Sequence, residues 1–228
     1  MKRFILTLFA AFCLFSASAA AQEPTEGWPY LYDNFILGKV RSTDGTLLED
    51  VRLNICVGDG TLHYINASDG KIIAAKMLTV FSAKIGEDLW LRAGLKMMKV
   101  ILESDEAAVL ELAVVDEEKL GATDIGYGIE SKTASSTKLT SYAFSTGMVG
   151  MNIEEVVTGK SRGRELPLKY TYYLRAGKRI VQASKRQVLE IEGIDKAAAN
   201  AFFKENKIKW KNPESLLKVA GFLMQYED

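Results

Sequence analysis

The chain has 228 residues, enough for one sizeable domain or two small ones, and its 48% hydrophobic and 25% charged content supports a packed core and excludes a disordered chain. Its 29 Lys+Arg and 29 Asp+Glu cancel, so the basic footprint of a dedicated nucleic-acid binder is missing and no nucleic-acid partner is expected. One His and two Cys cannot supply the four soft ligands of a structural zinc site, and neither a metal nor a cofactor is expected.

Met1-Lys2-Arg3 is positive, Phe4 to Phe15 is apolar, and Ala19-Ala20-Ala21 precedes Gln22. This order reads as a secretory signal peptide over 1–21, cleaved near Ala21, and predicts an exported protein, periplasmic, cell-surface or secreted. The apolar run is shorter than the ~20 residues of a membrane span, and no later window reaches that length, so no transmembrane segment is expected in the mature chain. Phe12 before Cys13 argues against lipid attachment, and Cys13 leaves with the signal. The mature chain then keeps Cys56 alone and forms no internal disulfide. Neutrality also hides a polarity: residues 22–168 hold 15 positive and 22 negative side chains, and 169–228 hold 12 and 7.

From Phe35 to about Val115 period-two alternation dominates, broken by Asp44-Gly45, Asp59-Gly60 and Asp69-Gly70. Asp-Gly between β-type runs marks hairpins, because a tight turn needs the positive φ that Gly adopts freely. Further runs at Asp88 to Arg92, Leu95 to Leu102 and Ala107 to Val115 extend this to an antiparallel meander of seven or eight strands. The same aspartates each sit alone beside a Gly, which fits turns and not the closely alternating ligands of a calcium loop.

Between about 121 and 163 the composition shifts to Gly, Ser and Thr, which predicts a long polar loop and a candidate contact surface. Strands return at Lys169 to Arg175 and Arg179 to Val181. Three short helices follow: one begins at the Ser184 to Gln187 capping box, one at Asp195 with Ala198, Ala201 and Phe202 on one face, one at Asn212-Pro213 with Leu216, Ala220, Leu223 and Met224 as its stripe. Helices this short are unstable alone and must pack on one another and on the sheet.

If Asp59-Gly60 is a two-residue turn, Cys56 stands opposite His63. The one mature thiol and the one imidazole would then be ~5 Å apart, the arrangement of a nucleophile and its base. A flat sheet face lacks donors for a developing oxyanion, which argues for a structural pair. Asp116-Glu117-Glu118 and Glu154-Glu155 read as solvated turns. Trp210 among the lysines of 204–211 reads as a loop pinned to the core by Ile208 and Trp210. The tyrosines of Tyr170 to Tyr173 suit either strand packing or a stacking platform.

Trp28 to Phe35 followed by Gly38-Lys39-Val40, then Leu53-Asn54 to His63-Tyr64-Ile65, then Tyr172-Tyr173-Leu174 through Phe203 to Lys207, together resemble an uncharacterised family of secreted proteins from Gram-negative gut-type bacteria. The resemblance brings no known activity or cofactor and transfers no site residues.

The expected architecture is α+β: an antiparallel β-meander, barrel-like or a sandwich layer, over 22–182, with a helical tail at 183–228 packed on it. The expected function is a non-catalytic binding module of the bacterial envelope whose partner is a protein or a glycan. The alternatives are a thiol enzyme or hydrolase using Cys56 and His63, and a carrier of a small apolar ligand in a β cavity.

Overall fold

The first four strands are β1 (Ile36–Ser42), β2 (Leu47–Cys56), β3 (Thr61–Ile65) and β4 (Ile72–Ala74). The three Asp-Gly pairs lie in the turns between them and share one construction. Each Asp carboxylate accepts the N–H two residues on, from Thr46, Thr61 and Lys71 respectively, and Gly45, Gly60 and Gly70 have φ of 88°, 78° and 68°. This local bond and the left-handed Gly close loops longer than two residues. Gly60 N–H donates to the Cys56 carbonyl and Gly70 N–H to the Asn66 carbonyl.

The longer loop corrects the hairpin register. Asn54 pairs with His63 and Cys56 with Thr61, so Cys56 and His63 are diagonal on one face and not directly opposed. A diagonal pair stands ~7–8 Å apart, against ~5 Å for an opposed one.

A turn of 3-10 helix at Met77–Thr79 returns the chain from β4 to the far side of β1. There follow β5 (Val80–Ile85), β6 (Asp88–Ala93), β7 (Lys96–Ser104), β8 (Ala107–Val115), the short pair β9 (Thr123–Asp124) and β10 (Glu130–Ser131), then β11 (Leu168–Ala176) and β12 (Arg179–Gln182). The sheet order is β12-β11-β8-β7-β6-β5-β1-β2-β3-β4, ten antiparallel strands. β9 and β10 pair only with each other. The structure, a computed structural model, describes residues 29–116, 119, 123–124, 130–131 and 167–226. The segment 1–21, Trp28, Glu117, Glu118, Glu154-Glu155 and all of the 121–163 stretch except β9 and β10 lie outside the described residues.

The sheet is open, with β4 and β12 as its edges, and is not a closed barrel. It curls enough for the β2–β3 turn to meet distant strands: Met97 N–H donates to Gly60 and Val115 N–H to Val57, while Val57 N–H donates to Pro29 ahead of β1. Leu53, Ile55, Leu62, Ile85, Trp90 and Met97, each at most 1% exposed, fill the inside of the curl. Residues 29–35 form a strap beside the end of β2, bonded to it through Leu31 N–H and the Ile55 carbonyl and through a bridge from Tyr30 to Cys56, with Leu31 and Tyr32 packed against this cluster.

The helices α1 (Lys185–Leu189), α2 (Lys196–Glu205) and α3 (Pro213–Leu223) begin where the capping residues place them: Ser184 accepts from Gln187 N–H, Asp195 from Ala197 and Ala198, Asn212 from Ser215. Leu216, Val219, Ala220 and Leu223 of α3 are buried against Ala107, Val109, Leu174 and Ala176. On α2 the buried residues are Ala199 and Phe203, one position on from the expected face, while Ala198 and Ala201 are exposed. Phe203 is pulled inward by Trp210, whose ring meets it edge-on at 5.2 Å.

Candidate functional site

The Cys56–His63 corner is built as packing. Both residues are buried, at 0% and 4% exposure. Burial, reinforced by the Asp59 charge, pushes the Cys56 thiol up to about 12, so the thiolate that a nucleophile needs is suppressed. His63 is held below the ordinary imidazole value by burial, with Asp59 pulling the other way. Its Nδ1 shares a 3.0 Å hydrogen bond with the Tyr30 hydroxyl, and its Nε2 meets no hydrogen-bond partner. Asn54 of β2, the residue across from His63, clasps the strap: its Oδ1 accepts from Tyr32 N–H and its Nδ2 donates to the carbonyls of Tyr32 and Asn34.

That clasp positions a second, unexpected group of residues. Alternate residues of a strand share a face. The pairing Trp90↔Lys99↔Glu111↔Tyr172 therefore lines four side chains across β6, β7, β8 and β11. Asp88 and Tyr170, two residues before Trp90 and Tyr172, lie on the same face. The helices cover one end of this face through Val109 and Leu174 and leave the other end to the strap. Leu31 and Tyr32 of the strap line a cleft of about 280 Å³ together with Asp88, Trp90, Lys99 and Glu111.

The polar groups within it are arranged in order. Tyr32 Oη donates to Asp88 Oδ2 at 2.7 Å, and Lys99 Nζ stands 2.8 Å from Asp88 Oδ1. Burial raises the Asp88 carboxyl, but the bonds from Lys99 and Tyr32 outweigh it and leave it below its ordinary value. Burial raises the Glu111 carboxyl above its ordinary value, against the pull of Lys99 and of the Tyr172 hydroxyl within hydrogen-bonding reach. Tyr32 loses acidity, chiefly through burial and its bond to Asp88. Trp90 is 1% exposed; its indole N–H lies near the Tyr32 hydroxyl yet makes no hydrogen bond of normal geometry.

No protein-family model, curated protein or solved structure matches this chain. The chemistry therefore rests on the residues. Both oxygens of Asp88 are engaged, which makes it an anchor for Lys99. Lys99 donors and the Glu111 carboxyl remain to face a guest, with Tyr170, 55% exposed, at the mouth. Among the described residues no group of three or more His, Cys, Asp or Glu could hold a metal ion. No described helix is long and apolar enough to cross a membrane.

Tyr170 and Tyr172 face the cleft, while Tyr173 packs on the opposite side of the sheet with Leu110. Ile208 and Trp210 pack against the helical core. Asp88, Lys99 and Glu111 carried no motif. The turn at Gly94 would have paired Trp90 with Lys99, but the bulge between Val100 and Leu102, which aligns Lys99 with Glu111, has no marker in the sequence.

Proposed function

We propose that this chain is an exported, non-catalytic binding module that takes a small polar ligand in the cleft beneath the strap. The observation that carries the reading is the cleft itself, which sets Lys99 and the Glu111 carboxyl beside a buried Trp90 N–H that makes no hydrogen bond of normal geometry. A buried polar group left unpaired costs about 1–3 kcal/mol, so such a donor is favoured where a guest completes it. Export rests on the charged, apolar and small-residue order of residues 1–21, which supports a periplasmic, cell-surface or secreted placement.

The thiol-enzyme alternative has less support, since Cys56 is buried, its thiol pKa is raised, and it is diagonal to His63. The apolar-carrier alternative also has less, since Leu53, Leu62, Trp90 and Met97 fill the curl themselves. The test is retention. Immobilised mature protein and a Lys99→Met, Glu111→Gln variant are incubated with the low-mass fraction of an envelope extract. Mass spectrometry of the eluates is expected to show species held by the parent and not by the variant; identical eluates would remove the reading.

A further inference from the structure

We infer that the guest of this cleft is a small organic ammonium ion carrying no anionic group, an inference that rests on the cleft being a binding site.

The charge count decides the class. The lining holds one ammonium, Lys99, and two carboxylates, Asp88 and Glu111. Lys99 Nζ stands 2.8 Å from Asp88 Oδ1, and the Tyr32 hydroxyl donates to Asp88 Oδ2, so that pair is neutral and closed. Glu111 is left with a negative charge and no cation of its own. The Tyr172 hydroxyl within its reach is a neutral donor, which bonds a carboxylate without balancing it. The other lining residues, Leu31, Tyr32, Trp90, Ala113 and Tyr170, are apolar or aromatic.

Other classes of guest conflict with that charge. An anion would add like charge beside Glu111, and a neutral guest would cover its carboxylate without a counter-ion. A bare calcium or magnesium ion takes about six oxygen ligands or more, and only one carboxylate here is unspent. An organic ammonium ion supplies the missing charge and needs no such ligand shell.

The walls suit the rest of such an ion. Tyr170 is 55% exposed at the mouth, and Tyr32 also lines the cleft. Aromatic rings attract a cation over their faces, a methylated ammonium included. Leu31 and Ala113 offer apolar surface to a short alkyl stem, and a hydroxyl on the guest or water meets the N–H donors that Lys99 keeps beyond Asp88. The volume of about 280 Å³ sits at the small end of ligand sites, which suits a molecule of few carbons and not a polyamine chain. Residues 22–168, which supply the strap and β6 to β8, hold 22 acidic against 15 basic side chains, a balance that draws cations.

The experiment titrates the mature chain by saturation-transfer NMR with choline and ethanolamine, up to about 10 mM, a level that detects millimolar affinity. Two controls accompany them: acetate, and the neutral carbon isostere of choline, in which a tert-butyl group replaces the trimethylammonium. The expected result is binding of at least one ammonium ion, with choline, if bound, at least about tenfold tighter than its isostere. Glu111→Gln is expected to weaken that binding about tenfold or more, and Tyr170→Leu about threefold. Glu190→Gln, the same loss of charge at the end of α1 and outside the lining, leaves it unchanged. Circular dichroism establishes that each variant is folded, and the comparison of choline with its isostere needs no variant. Absence of binding by both ammonium ions, an isostere bound as tightly as choline, or binding indifferent to Glu111→Gln overturns the inference. Acetate or the isostere bound in a manner lost with Glu111→Gln, with neither ammonium ion bound, overturns the cation and leaves the binding module standing.

Discussion

Asn54 faces His63 across the β2–β3 hairpin, and Cys56 faces Thr61. The thiol and the imidazole therefore share a face at diagonal positions, and burial raises the thiol pKa to about 12. Iodoacetamide is expected to alkylate folded protein at pH 8 about a hundredfold or more slowly than the urea-unfolded chain, because the thiolate is both scarce and covered. A fast reaction with an inflection near neutral pH would restore the nucleophile.

Asn54 itself holds the strap. It is 0% exposed and bonds the Tyr32 N–H and the Tyr32 and Asn34 carbonyls. Asn54→Ala would strand these backbone groups, and a loss of about 2–4 kcal/mol is expected in urea unfolding. Proteolytic cleavage within 29–35 should rise with it, because the strap loses its tie to β2.

The hairpins and the helix starts are legible in the amino-acid sequence alone. Asp-Gly turns, the Asp195 cap and Asn212-Pro213 act through bonds within a few residues, so sequence displays them. The register of β2–β3 was not, because Asp59 accepting Thr61 N–H permits a longer loop than the two-residue turn. The candidate site was hidden for a related reason. Trp90, Lys99, Glu111 and Tyr172 come from four strands, and their alignment depends on a bulge near Val100 and a strap from residues 29–35. Long-range pairing of this kind leaves only the period-two pattern, which shows which residues share a face within one strand and nothing about their neighbours on the next.

Stability should fall with acid through His63. Its folded pKa lies below the unfolded value of ~6.5 because of burial. Below that value the unfolded chain binds the proton more readily, so the contribution is fully present above about pH 6.5 and lost as pH falls through the folded pKa. Urea midpoints at pH 7.5 and pH 5 are expected to differ, and His63→Gln is expected to shrink the difference. An unchanged pH slope in the variant would assign the effect to other groups.

Gly38 lets β1 approach β5. A Cβ there would lie 2.1 Å from the Lys84 carbonyl oxygen and 2.9 Å from Leu53 Cδ1. Backbone cannot yield as a flexible side chain does, so Gly38→Ala is expected to lower stability by about 2 kcal/mol or more. Leu216→Ala in α3, at 0% exposure, should cost about 2–5 kcal/mol through the cavity it leaves. Both are read by urea unfolding.

The cleft should trade stability for binding. Burial raises the Glu111 carboxyl, so its contribution to stability is present below its unfolded pKa and lost as pH rises through the folded one. Glu111→Gln is then expected to raise stability in urea unfolding slightly at neutral pH, by about half a kcal/mol at most for a group that is only partly buried. Ligand binding should weaken in the same variant. Loss of both together would mark Glu111 as a structural residue.

The most direct test follows the Trp90 indole N–H in a proton–nitrogen correlation spectrum, its cross-peak assigned by Trp90→Phe, as the low-mass envelope fraction is added. A shift of that cross-peak together with the amides of Tyr32, Lys99 and Glu111, abolished by Glu111→Gln, is the predicted result. An unmoved indole, or shifts centred on Cys56 and His63 instead, would contradict a ligand in the cleft.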